Sequence, residues 1–64
     1  MSHLSEYILK MRMDKARQLL LNTSMKAYEV SEEIGYLDPA YFIKVFRKCF
    51  GMTPQEYRDR KMKF

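Results

Sequence analysis

Side-chain catalysis needs partnered groups, and this sequence supplies few. It holds one histidine, His3, and one cysteine, Cys49, in 64 residues. Nucleophilic triads and acid–base pairs need a His or Cys with an orienting neighbour. A metal site needs several such ligands at short spacing. Neither pattern is present. His3 stands beside the chain terminus. Cys49 falls on what reads as the buried stripe of a helix, where a thiol packs rather than reacts. Glu29, Glu32 and Glu33 share one short segment and read as a solvated face. No catalytic residue, metal ligand or cofactor is expected. The chemistry with weight is cationic. Lys44, Arg47 and Lys48 recur at helical spacing, with Pro39, Ala40 and Ile43 just ahead of them. Such cations can meet phosphates or guanine edges, and small apolar side chains can meet a thymine methyl.

The charge distribution points the same way. Residues 1–35 carry five basic and five acidic side chains, whereas residues 36–64 carry seven basic and three acidic. The whole excess of +4 therefore lies in the second half. A one-sided basic surface suits a polyanion such as double-stranded DNA. A chain this short forms one small domain, which buries only about 60% of its unfolded surface and leaves little room for a small-molecule pocket. With a lone cysteine and no metal ligands, outside help with stability has to come from a partner. Single-cysteine usage fits a reducing, cytoplasmic setting. No apolar run approaches the roughly 20 residues of a membrane span.

The elements that position these residues read as three or four helices and no strands. The first is expected over residues 5–21, with Leu9, Met13, Ala16 and Leu20 on one stripe. Leu4, Tyr7, Ile8 and Met11 make a second apolar stripe on its far side, which implies a helix sandwiched between two layers. A short helix from Ala27 to Ile34 follows, stopped by Gly35, with Ser24 as its candidate cap. The third helix starts at Asp38 and Pro39, a good cap and first-turn pair. It buries Phe42, Val45, Phe46 and Cys49 and ends at Gly51. Thr53-Pro54-Gln55-Glu56 reads as a capping box for a last helix over 54–61, anchored by Tyr57. Arg58, Arg60, Lys61 and Lys63 form a basic, frayed end.

The second and third helices, joined by Gly35-Tyr36-Leu37-Asp38, make a helix-turn-helix pattern over 27–50. Small Ser31, four residues before Gly35, lets the two helices approach. With Phe42 as the buried centre of the third helix, Ala40, Lys44 and Arg47 project at about 160°, 200° and 140°, Ile43 lies near 100°, and Lys48 and Tyr41 occupy the other shoulder. No acidic residue follows Asp38 on this helix. The fold class is therefore all-α, a small three-to-four-helix bundle of the homeodomain-like kind.

These residues also carry a family pattern. Arg12-x-x-x-Ala16-x-x-x-Leu20, then Gly35-Tyr36, Tyr41-Phe42, Phe46, Gly51, Thr53-Pro54 and Tyr57-Arg58, resemble the C-terminal part of the DNA-binding domain of AraC/XylS-type transcription regulators. The resemblance covers about residues 5–60. It implies half of a seven-helix tandem helix-turn-helix domain, with 5–21 as the bridging helix and 39–50 as the recognition helix. It places base and phosphate readers at Pro39, Ala40, Ile43, Lys44 and Arg47. The family's first helix-turn-helix unit has no counterpart in these residues, so the chain reads as a fragment, whether by cloning, proteolysis or gene truncation. The stripe of Leu4, Tyr7, Ile8 and Met11 would then have lost its cover, and a homodimer through it is expected. The competing reading is a helical protein-interaction module that uses this stripe, with the basic end incidental. A membrane-surface role fits worse, because charge is spread all round the first helix.

Overall fold

In the computed structural model of the chain, the backbone is described for residues 2–62 and the side chains for residues 6–60. Four helices follow one another: α1 (Ser2–Asn22), α2 (Ala27–Glu33), α3 (Pro39–Phe50) and α4 (Pro54–Met62). No strand occurs among the described residues. The long α1 is built from Leu, Met, Lys, Arg, Gln and Ala, with neither Gly nor Pro inside it, and such residues lose little on entering a helix. Its end is closed by Thr23, whose hydroxyl donates to the Leu19 carbonyl at 2.6 Å and accepts from the Met25 N–H at 3.1 Å.

The helix α2 starts at Ala27, as its spacing predicts, but its cap differs from the sequence expectation. Its cap position is Lys26, not Ser24. A lysine side chain cannot accept, so the exposed N–H of Lys26 is satisfied by Glu29 Oε1 at 2.7 Å, which supplies half of a capping box. Gly35 follows with φ +97°, and no atom lies within 4 Å of where its Cβ would stand. Glycine is needed there for its backbone freedom alone. The turn is pinned by Gly35 N–H donating to Glu32 at 3.1 Å and Tyr36 N–H donating to Ser31 at 2.9 Å. Ser31 is wholly buried, and its hydroxyl donates to the Tyr36 carbonyl at 3.4 Å.

The two later starts are capped by local chemistry. Asp38 Oδ1 accepts from Ala40 N–H at 3.0 Å. Thr53 N–H donates to Glu56 Oε1 at 2.9 Å while Glu56 N–H donates back to Thr53 Oγ1 at 3.1 Å, a complete capping box. Gly51 closes α3 in the left-handed region, φ 79°.

The core draws on three helices: Met13, Ala16 and Leu20 from α1, Val30 from α2, and Phe42 and Phe46 from α3. From α4, Tyr57 stands edge-on to Phe46 at 5.6 Å. Phe50 meets Phe46 at a tilt, 4.5 Å between ring centres. Truncating either core phenylalanine to alanine costs about 3–5 kcal/mol in such a setting, a large share of a small domain's stability. The α1 stripe of Leu9, Met13, Ala16 and Leu20 faces this core, as its periodicity requires.

Three placements depart from the sequence reading. Cys49 is exposed rather than buried. It keeps the angular position of the buried stripe, but α1 does not close over it. There it borders a cleft of about 250 Å³ with Phe50 and α1 residues Leu9, Lys10 and Met13. Val45 is only partly buried. Arg58 is no frayed cation: its Nε donates to the Leu20 carbonyl at 3.0 Å and its Nη2 to the Thr23 carbonyl at 3.2 Å. It thereby satisfies carbonyls left open at the end of α1. Leu4, His3, Lys61 and Lys63 lie outside the residues whose side chains are described.

Candidate nucleic-acid interface

The α2–turn–α3 unit packs on α1 through Val30, Phe42 and Phe46, which fixes the rotation of α3 about its own axis. With those two phenylalanines fully buried, the opposite face of α3 is turned outward. Ala40, Lys44, Arg47 and Lys48 are all exposed along it. Pro39 and Ile43 are half-buried. Ile43 packs partly on the core, so it presents one edge rather than a whole side chain. Tyr41 stands out on the shoulder, 56% exposed. Three cations project from one face over little more than one helical turn, and no carboxylate follows the Asp38 cap on α3. Asp38 itself is turned onto the Ala40 N–H.

Two contacts brace this surface from behind, and neither was read from the sequence. The Arg12 guanidinium lies over the Tyr36 ring at 5.4 Å, a cation–π contact. Tyr36 in turn meets Tyr41 and Phe42, each at 5.8 Å between ring centres. A chain of stacked groups thus links the middle of α1 to the first turn of α3. The only early sign was the presence of Arg12 and Gly35-Tyr36 in one family pattern; spacing alone could not pair residues so far apart.

At the far end, Glu56 has its pKa held below the usual carboxylate range. The Thr53 N–H is the largest cause, then the Thr53 hydroxyl, with the Arg47 guanidinium adding a smaller attraction. The carboxylate is therefore held ionised and tied to its helix end, close enough for Arg47 to feel its charge. Among the described residues, no group of His, Cys, Asp and Glu could hold a metal ion, and no helix is long and apolar enough to cross a membrane.

Known proteins share this fold. The family described as a helix-turn-helix domain matches residues 3–60. The HTH-type transcriptional activator RhaR of Mannheimia succiniciproducens is 42% identical over 60 residues, covering 94% of this chain and 22% of that protein. A solved DNA-binding transcriptional dual regulator from Escherichia coli K-12 superposes with a TM-score of 0.89 at 37% identity, covering 94% of this chain and 54% of that one. The C-terminal domain of the two-component response regulator yesN from Fusobacterium nucleatum gives 0.83 at 46% identity, covering 84% and 52%. The chain spans 4–22% of the length of such curated relatives. It belongs to the AraC-type family of helix-turn-helix domains of bacterial transcription regulators.

Proposed function

We propose that this domain reads double-stranded DNA with α3 laid in the major groove, in the manner of a bacterial regulator acting in the cytoplasm. The observation that carries the reading is the outward cationic face of α3, fixed by the buried Phe42 and Phe46 behind it. Lys44, Arg47 and Lys48 supply contacts to phosphates and guanine edges, and Pro39, Ala40 and the exposed edge of Ile43 supply apolar contacts to bases. About four cations near DNA give micromolar or weaker affinity at physiological salt, falling with a log–log slope near −4. The test is fluorescence anisotropy on a labelled duplex across a salt series. Lys44→Ala with Arg47→Ala is expected to abolish binding at physiological salt and to flatten the slope by about two. Unchanged affinity in that double variant would sink the reading of α3 as the DNA-contacting helix.

A second surface has its own observation. Tyr7, Ile8 and Met11 are 62%, 43% and 55% exposed on one face of α1, about 160° around the helix from its core stripe. The reading is a symmetric dimer of two copies through this face. Antiparallel pairing of two such helices brings Tyr7 of each copy against Ile8 of the other.

A further inference from the structure

Leu37 is 101% exposed, beyond any other large apolar side chain among the described residues. Its position makes that unusual. It is the residue before the Asp38 cap of α3, and a hydrophobic residue there ordinarily packs on the fourth residue of the helix. That residue is Phe42, and its surface is already covered. Tyr36 meets it at 5.8 Å and Phe46 at 5.9 Å, leaving it wholly buried. Leu37 is thus shut out of the contact its position would give it.

Its backbone is held on both sides. Tyr36 is tied to Ser31 by N–H and carbonyl together, and Asp38 is tied to Ala40. The leucine is therefore displayed by a fixed turn, between a tyrosine turned inward and an aspartate turned onto its own helix. Full hydration of a leucine adds nothing to the fold, so its worth lies in something the turn meets. The turn leads straight into the exposed Ala40 and the cationic Lys44 and Arg47. The complement of such a surface is a polyanion that also presents an apolar group at one end, and in duplex DNA that group is the C5-methyl of thymine.

We propose that Leu37 is a specificity-determining residue that meets a thymine methyl beyond the bases facing Pro39 and Ala40. The proposal rests on the DNA reading of α3 and adds a position to it. The 64-residue chain and its Leu37→Ala variant are each used to select duplexes from a random-sequence pool at low salt. Each thymine of the selected site is then replaced singly by uracil, which lacks only the methyl, and affinities are measured by anisotropy. For the unaltered chain, one replacement is expected to weaken binding about fourfold, the worth of one buried methyl. The Leu37→Ala variant, whose melting temperature is expected to be unchanged, loses nothing at that position. Equal losses in both proteins, no loss in either, or a selected site without a thymine there each overturn the proposal. Persistence of binding in the Lys44→Ala, Arg47→Ala variant is a different result: it removes the reading of α3 as the DNA-contacting helix, on which the Leu37 proposal rests.

Discussion

Side chains that look alike in composition divide into separate tasks here. Lys44, Arg47 and Lys48 are exposed on α3, whereas Arg58 spends its guanidinium on the carbonyls of Leu20 and Thr23 and Arg12 lies on the Tyr36 ring. Counting charge along the chain could not make that division, because each partner sits many residues away. Glu56 shows how a single group can be tested at this scale. Its folded-state pKa is depressed by the Thr53 N–H, the Thr53 hydroxyl and, more weakly, Arg47. A group depressed on folding contributes stability above its unfolded value, and that contribution is lost as pH falls through the folded value. Glu56→Gln keeps an oxygen for the Thr53 N–H but removes the charge. The variant is expected to melt below the unaltered chain at pH 7, with the gap closing as pH falls below about 4.5. Thermal melts followed by circular dichroism between pH 3 and 7 check this, and a gap that is constant with pH contradicts it.

Helix ends divide in the same way between what local chemistry dictates and what tertiary structure imposes. The starts of α3 and α4 were legible because their caps are local: Asp38 with Pro39, and the reciprocal bonds of Thr53 and Glu56. Gly35 and Gly51 were legible as stops because both turns need a positive φ. The cap of α2 was not, since Lys26 has no capping side chain and its N–H is satisfied from within the helix by Glu29. The exposure of Cys49 was hidden for another reason. Periodicity assigns a stripe, but not whether another element covers its last turn. The clearest long-range tie between elements is Arg58 of α4 against the end of α1, 35–38 residues earlier. Arg58→Ala is expected to destabilise the domain by about 1–2 kcal/mol, allowing for the half-exposed site. In a domain of this size that lowers the melting temperature by roughly 5–15 °C. Arg58→Lys should recover only part of the loss, because an ammonium lacks the planar fork that reaches both carbonyls. Urea unfolding of the three proteins distinguishes this from a solvated arginine, for which all three midpoints would coincide.

Across the whole molecule, one core serves two outward surfaces. The principal extents are 40 × 21 × 18 Å, and the long direction suits α1, about 31 Å by its length. The aromatic side of α3 holds that helix so that its cations face out, and the core stripe of α1 leaves Tyr7, Ile8 and Met11 on the reverse side. These three half-exposed side chains present only a few hundred Å², on the order of 300. That is less than the roughly 800 Å² per partner of a stable interface. Self-association through α1 is therefore expected to be weak, with dissociation in the high micromolar range, and to raise the melting temperature as protein concentration rises. Because this face is not the cationic one, the two activities should separate. Tyr7→Gln with Met11→Gln is expected to give a monomer at every concentration while keeping the fold and the affinity of a single copy for DNA. Lys44→Ala with Arg47→Ala should keep the dimer and lose the DNA. Sedimentation equilibrium from ten micromolar to one millimolar, paired with anisotropy on the same samples, measures both. A monomer mass for the unaltered chain across that range would end the dimer reading. Loss of DNA affinity in the Tyr7, Met11 variant would instead show that the two faces act as one, with pairing needed to place two copies of α3 on successive turns of the duplex.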